Sequence, residues 1–506
     1  MVFQALKNHG TIMKKLILTL IYTSLLAAGQ TVYAEKKSVD AVVIMDSSGS
    51  MKKTDPDNLR KPAAKLFISL LNEDDRASIM SFSDNGYPIT YLNALDNEKN
   101  LQLTLDATDK VSTKGIYTNI HAAIERAYKI LSTDKSDREP IIILLSDGKM
   151  DVGNNEKSLS LSKQLINDSL PKLNEAGIKV YSIAFTEHSD KDLLTTLSDG
   201  TQGFCKVAKN DSELHLAFTS IFEQSKEPDM LPLTENTFLA DESIKEITIV
   251  ASKSSPDSKI FLEDPEKLRF DASVNNKNIK WFISDTFDMI TIKKPISGEW
   301  KILFSDNNNK AYIVADMSMK SKFDFNKENN IEKLKAQAWL EKDDSIVKEA
   351  TILDSIDAKI EITSPTDKIS TSPMGLALND ETLAGIFLGN NTPKEAGTYF
   401  ATVTLKSQTF ERQKTFSFQS EGTPAVIEPA PPVETIPAVT EEPKEEPAEE
   451  VKEPPPAEPE EEEGDLLQSV LVFLAINIII IIIGLSIYLV IKLKKEKNTE
   501  AKDEPE

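Results

Sequence analysis

The sequence predicts a multidomain chain. A doubly wound α/β sheet comes first, then two β-sandwich domains, a disordered Pro/Glu stalk and one transmembrane helix. Three observations carry this. Apolar strands and amphipathic helices alternate from Ser38 to about Gln224; after Glu227 the pattern turns to short alternating strands; and a Pro/Glu tract leads to a long charge-free apolar run. At 506 residues the chain exceeds what one core ordinarily serves.

Residues 1–34 read as a signal peptide. From Met13 the chain runs MKKLILTLIYTSLLAAGQTVYA, with Lys14 and Lys15, an apolar stretch, and small residues at Val32 and Ala34 before cleavage at Glu35. Residues 35–226 form the α/β domain. "SVDAVVIMD" is a strand, and "NLRKPAAKLFISLL" a helix with Leu59, Ala63, Leu66, Phe67 and Leu70 at helical spacing. "RASIMSFS" is the second strand, and "TNIHAAIERAYKILS" a helix carrying Ile120, Ala123, Ile124, Ala127 and Leu131 on one face. "PIIILLSDG" is a third strand, "KSLSLSKQLINDSLPKLNEAG" a helix ending at Gly177, "IKVYSIAFT" a fourth strand and "SELHLAFTSIFEQ" the closing helix. Unbroken apolar strands alternating with helices imply a mostly parallel sheet covered on both faces.

Residues 227–317 and 318–421 read as two β-sandwiches. The first contains "KEITIVAS", "KIFLED", "IKWFIS", "DMITIKK", "EWKILF" and "AYIVAD"; the second contains "EKLKAQAWLEK", "AKIEIT", "TYFATVTLKS" and "KTFSFQ". Residues 422–464 hold 11 of the 25 prolines with Glu nearly everywhere between, and cannot bury a core. In polyproline geometry such a tract reaches about 130 Å, which suits a stalk. The membrane segment, 465–491, contains a charge-free run of 26 residues from Leu466 to Ile491. Lys492, Lys494, Lys495 and Lys497 follow, so the tail 492–506 is expected in the cytoplasm and the body outside, a single-pass type I arrangement.

The formal net charge is -23, and about half of it lies between Glu428 and Glu463, where 14 Glu face 2 Lys. No long basic block exists, which argues against nucleic acid as a partner. The single cysteine, Cys205, excludes an internal disulfide, so the exported domains must be held by their cores. Its setting in "GFCKVA" reads as a packed strand residue.

The chemistry gathers in "VVIMDSSGSM", where a buried strand ends in an acid and three hydroxyls. Asp46, Ser48 and Ser50 make D-x-S-x-S; Thr118 opens a helix in "GIYTNIHAAI"; Asp147 ends a strand in "IILLSDGK". All five would meet at the carboxyl edge of a parallel sheet, where such sheets bind ligands. Carboxylate and hydroxyl oxygens suit a hard divalent cation, Mg²⁺ first, with Mn²⁺ or Ca²⁺ as alternatives. Two acids and three neutral hydroxyls leave the ion short of charge and one position open, which a partner's carboxylate could fill.

The order D-x-S-x-S, T-N opening a helix, and a strand ending in S-D-G resembles the von Willebrand factor type A domain over about residues 36–225. The resemblance implies a Rossmann-like fold with a metal-ion-dependent adhesion site made by Asp46, Ser48, Ser50, Thr118 and Asp147. It also implies that the serines and the threonine touch the metal directly and the aspartates largely through water. "KKPISGEWKILF" resembles a P-x-x-G-x-W turn in sandwich domains that follow such modules, and "EAGTYFATVTL" is similar to a G-x-Y strand start in immunoglobulin-like domains. Ordinary packing explains Trp300 and Tyr399 equally well.

The expected function is therefore protein binding through a metal-bridged Asp or Glu carboxylate on a partner, on a membrane-anchored extracytoplasmic protein. The rival is a structural or assembly role in an envelope complex, with Asn477 and Gly484 marking a helix–helix face. An enzyme is not expected: H-E-x-x-H, a G-x-S-x-G elbow and a phosphate loop are all missing. Asp84, Asp151 and Glu187 follow predicted strands and read as solvated loop acids that could flank the metal.

Overall fold

Strand β1 (Val39–Asp46) shows why its sequence is apolar throughout: all eight residues are buried. Val39, Ala41, Val43 and Met45 enter the core on one side of the sheet, and Val42 and Ile44 the core on the other. The computed structural model describes residues 37–422, apart from 135, 187, 329–330 and 378–380. The signal peptide, stalk, membrane helix and tail expected from the sequence lie outside the described residues. Among the described residues no helix is long and apolar enough to cross a membrane.

After β1 the chain forms the helical turn α1 (Met51–Thr54), α2 (Arg60–Leu70), β2 (Arg76–Phe82), β3 (Gly86–Pro88), β4 (Asn93–Ala94), α3 (Glu98–Asp109) and α4 (Ile120–Thr133). It continues through β5 (Glu139–Ser146), α5 (Asn155–Gln164), α6 (Leu170–Glu175), β6 (Lys179–Phe185), α7 (Lys191–Asp199), β7 (Cys205–Ala208) and α8 (Leu214–Lys226). Among the described residues the sheet runs β3-β2-β1-β5-β6-β7, with β4 also on β2. Strands β2, β1, β5, β6 and β7 are mutually parallel, and β3 and β4 run antiparallel to β2. The chain leaves β1 for β2 on one side while β5 lies on the other. Their carboxyl ends therefore flank a switch point, the crevice in which open α/β sheets take ligands.

The sequence reading passed over α3, α7, β3 and β4. The buried face of α3 carries Thr104, Ala107 and Thr108, so its apolar stripe is faint. Strands β3 and β4 are too short for a period to register, whereas α7 carries Leu193, Leu194 and Leu197 on its buried face, a stripe that was present in the sequence. Capping is clear once the boundaries are known. Asn97, Asn119 and Asn154 each accept a hydrogen bond from the backbone three residues on, at the starts of α3, α4 and α5.

The remainder is sheet. It comprises β8 (Asp229–Met230), β9 (Thr237–Ala240), β10 (Ile244–Ser252), β11 (Phe261–Glu263), β12 (Arg269–Phe270), β13 (Ile279–Ile283), β14 (Phe287–Lys293), β15 (Gly298–Leu303) and β16 (Lys310–Ala315). Then follow β17 (Met317–Glu328), β18 (Ile331–Lys342), β19 (Ser345–Ile346), β20 (Asp357–Thr363), β21 (Ile369–Pro373), β22 (Gly375–Leu376), β23 (Phe387–Asn391), β24 (Ala396–Lys406) and β25 (Glu411–Glu421). These do not form two free-standing sandwiches. Among the described residues one nine-stranded sheet, β13-β14-β10-β16-β8-β25-β24-β20-β21, serves both halves. The two-residue β8 is the join: Met230 pairs with Tyr312 of β16 and with Gln413 of β25.

Two smaller sheets cover this long one. The sheet β12-β11-β15-β9 closes a core of Ile247, Ile249, Leu262, Ile290, Trp300 and Ile302. The sheet β17-β18-β23-β22 closes another with Leu334, Ala336, Ile360, Val403 and Phe416. From the long sheet, Met230, Val250, Phe287 and Tyr312 join the core of the α/β domain instead. Helix α8 thus lies between that domain and the long sheet.

Candidate metal centre

The end of β1 delivers Asp46, fully buried, and the chain then turns tightly through Ser47 to Ser50 into α1. Asp46 Oδ1 accepts a hydrogen bond from the Ser48 backbone N–H at 2.8 Å, and its Oδ2 accepts one from the Ser146 hydroxyl at 2.8 Å. The hydroxyls of Ser48 and Ser50 are 2.8 Å apart. Ser50 Oγ donates to Asp147 Oδ1 at 2.9 Å, across 97 residues of sequence. Thr118 lies 6% exposed, and its Oγ1 is 3.5 Å from where a Cβ on Gly148 would sit, beside Asp147. Among the described residues that hydroxyl makes no hydrogen bond of its own. The structure thus brings all five residues to one crevice at the carboxyl ends of β1 and β5.

Electrostatics decide what fits there. Asp46 and Asp147 are 0% and 2% exposed, and no Lys, Arg or His makes an ion pair with either among the described residues. Burial, and then the negative charge of Asp147, push the Asp46 carboxyl up to about 7. Two buried carboxylates without a protein cation among the described residues, beside three hydroxyls, are a donor set whose chemistry suits a hard dication, even though serine, threonine and backbone donors already engage all four carboxylate oxygens. The acids number two, and no cluster of three or more His, Cys, Asp or Glu suited to a metal occurs among the described residues. Hydroxyls and water would therefore supply the rest of any coordination.

Several positioning residues escaped the sequence reading. Thr54, one helical turn beyond Ser50, donates its hydroxyl to Asp147 Oδ2 at 2.6 Å, so one oxygen of Asp147 is oriented by the β1–α1 loop and the other by the end of α1. Ser146 orients Asp46. Behind them, Asp55 and Arg60 form a fully buried ion pair, and Arg60 also donates to the Ser112 carbonyl at 3.3 Å. That pair ties α1 and α2 to the loop leading to Thr118. Gly115 permits the loop's close approach: its N–H donates to the Ser47 carbonyl at 2.8 Å, and a side chain there would collide with Ser83. Thr118 is held by a reciprocal backbone pair with Asp151, at 2.8 and 3.0 Å. The spacing of Thr54 from Ser50 and the serine of S-D-G were the available signals.

The flanking acids have local work. Asp84 accepts from the Tyr87 hydroxyl at 2.9 Å, and Asp151 accepts from the Gly153 N–H at 2.8 Å. Glu187 lies outside the described residues. Cys205 is a packed strand residue whose thiol burial pushes up to about 11. Trp300 is a core residue donating to the Ile296 carbonyl at 2.9 Å, and the Tyr399 hydroxyl donates to the Glu395 carbonyl at 3.1 Å.

Comparison with known proteins places residues 40–223 within the family model of the von Willebrand factor type A domain. An uncharacterized Synechocystis protein is 25% identical over 182 residues, which are 36% of this chain and 40% of that one. The chain thus matches less than half the length of that relative. A von Willebrand factor type A structure from Catenulispora acidiphila is 14% identical with a TM-score of 0.32, covering 62% of this chain and 64% of that one. Proximal thread matrix protein 1 of the mussel byssus, solved with zinc in its metal-ion-dependent adhesion motif, is 17% identical with a TM-score of 0.32. It covers 37% of this chain and 48% of that one.

Proposed function

We propose, from the premise that residues 40–223 are a von Willebrand factor type A domain, that this protein captures a protein partner through an Asp or Glu carboxylate bridged by a divalent cation. Asp46, Ser48, Ser50, Thr118 and Asp147 would hold the cation, with Mg²⁺ the ion their oxygens suit best. The observation that carries this is the pair of buried carboxylates, Asp46 and Asp147, linked through Ser48 and Ser50 and, among the described residues, paired with no basic side chain.

When bound, the ion supplies an electropositive position for an incoming acid. The chain's own residues do the rest. Ser146 and Thr54 orient the two aspartates, and the Ser47–Gly115 hydrogen bond holds the two loops together. The signal-like sequence at 13–34 and the apolar run at 466–491 support reading the chain as exported and membrane-anchored with this domain outside.

The test is capture of surface proteins from the source cells by the full-length chain in magnesium and in chelator, alongside Asp46→Ala. Capture should fall at least tenfold in chelator and in the variant. Capture that is unchanged in both removes the proposed mechanism.

A further inference from the structure

The residues around the five oxygens say more about the partner, given the metal-bridged reading above on which this inference rests. Ile116 is 82% exposed, more than any other large apolar residue among the described ones. It stands two positions before Thr118. An exposed isoleucine on a floppy loop would mean little, but this loop is fastened on both sides of it. Gly115 donates to Ser47, the Tyr117 N–H donates to Ser83 Oγ at 3.4 Å, and the Tyr117 ring lies against Gly153. Thr118 is pinned by its backbone pair with Asp151. The apolar side chain is therefore presented at fixed position beside the crevice, with its entropy cost of ordering largely met before any partner arrives.

Lysines follow the same geography. Lys52 and Lys53 follow Ser50 after the single residue Met51, Lys114 precedes Gly115, and Lys149 lies two residues beyond Asp147. All four are exposed, and among the described residues none makes an ion pair or a side-chain hydrogen bond. In a chain of net charge -23, four exposed ammonium groups without an ion-pair partner among the described residues stand on the loops that carry the site. Of the acids on the same loops, Asp84 and Asp151 are engaged by Tyr87 and Gly153, while Asp57 is exposed in the turn after α1.

We infer that Ile116 and these four lysines form the specificity surface of the site, and that the partner is an acidic protein segment bearing an apolar side chain next to its coordinating carboxylate. The metal position would accept any carboxylate. The lysines would favour a segment with further acids flanking it, mainly through the rate of encounter. Ile116 would discriminate by burying an apolar neighbour.

The experiment uses the full-length chain and three synthetic peptides, measured by fluorescence anisotropy in magnesium and in chelator. One carries a single Asp among Gly and Ser; the second adds a Leu beside that Asp; the third adds four flanking Glu as well. The third should bind at least tenfold tighter than the first, with affinity falling as salt rises. Ile116→Ser should abolish the gain between the first and second peptides. The quadruple change of Lys52, Lys53, Lys114 and Lys149 to Gln should abolish the gain between the second and third and flatten the salt dependence. Because these side chains are exposed, thermal unfolding of the variants should match the parent. Equal affinity for all three peptides, or variants binding all three within twofold of the parent, overturns the inference while metal-dependent binding persists. Binding of every peptide that ignores chelator instead overturns the metal-bridged reading itself.

Discussion

At the residue scale the site depends on second partners as much as on its five oxygens. Asp147 has one oxygen on Ser50 and the other on Thr54, and Asp46 has one on the Ser48 N–H and the other on Ser146. Groups that orient ligands typically change metal affinity about 10–100-fold when removed. Thr54→Val keeps shape and removes the hydroxyl; together with Ser146→Ala it should weaken magnesium binding by at least tenfold, measured by titration calorimetry, while the fold's thermal transition moves little. An unchanged affinity would mean that the aspartates need no orientation from these hydroxyls. The five ligand candidates were legible because each sits at a strand end or helix start with a recognisable pattern. Thr54 and Ser146 were not, because a threonine in a helical turn and a serine in a strand have many unremarkable uses.

At the element scale, α8 is the helix through which the α/β domain meets the long sheet. Of its 13 residues, ten are buried. Glu223 accepts from the Tyr312 hydroxyl at 3.0 Å and pairs with Lys310 at 3.1 Å. Its last turn is fastened by Lys226 to Asp75 at 2.6 Å. His215 lies between the Ser212 carbonyl and Ser252 Oγ, each at 2.9 Å, with its ring stacked on Phe287. Burial lowers this imidazole to about 4 from an ordinary 6.5. Above pH 6.5 neither the folded nor the unfolded chain protonates it, and it contributes no pH dependence. As pH falls from 6.5 toward 4, the unfolded chain takes the proton first and the folded state loses stability, by roughly 2 kcal/mol at pH 5. His215→Gln should therefore lose less melting temperature between pH 7 and pH 5 than the parent, compared by scanning calorimetry in saturating magnesium. Parallel pH profiles for the two proteins would contradict the burial of a neutral histidine at this contact. The sequence placed His215 in the last helix, but its neighbours come from β10 and β14, which no helical period can indicate.

At the scale of the whole described body, the unexpected feature is that two sheet-on-sheet cores share a layer. Arg412 in β25 is fully buried. It donates to Asp241 at 2.6 Å, to Ser243 Oγ at 2.8 Å and to the Met317 carbonyl at 3.0 Å, tying the second half to the first. Removing one partner of a buried pair leaves the other charge uncompensated, at a cost of about 3–5 kcal/mol. Arg412→Ala should accordingly lower the unfolding temperature sharply and make the β region more susceptible to protease near residues 316–318, read by limited proteolysis and mass spectrometry. Stability within about 0.5 kcal/mol of the parent, the range of an ordinary surface substitution, would show that the shared sheet holds without this link.

Sequence alone determined what depends on local order and composition. Two-face burial demands apolar strands such as β1 and β5, amphipathic spacing marks α2 and α4, and oxygens crowded after a buried strand announce a ligand site. Only the tertiary structure decided what depends on contacts between distant segments. A two-residue strand, Asp229–Met230, joins two sheets; α8 is covered on its second side by a surface belonging to later strands; and Ile116 stays exposed because its loop is fastened to Ser47, Ser83 and Asp151. Period and propensity report the surroundings of a residue averaged along the chain, whereas these three features are set by single long-range hydrogen bonds and packing contacts.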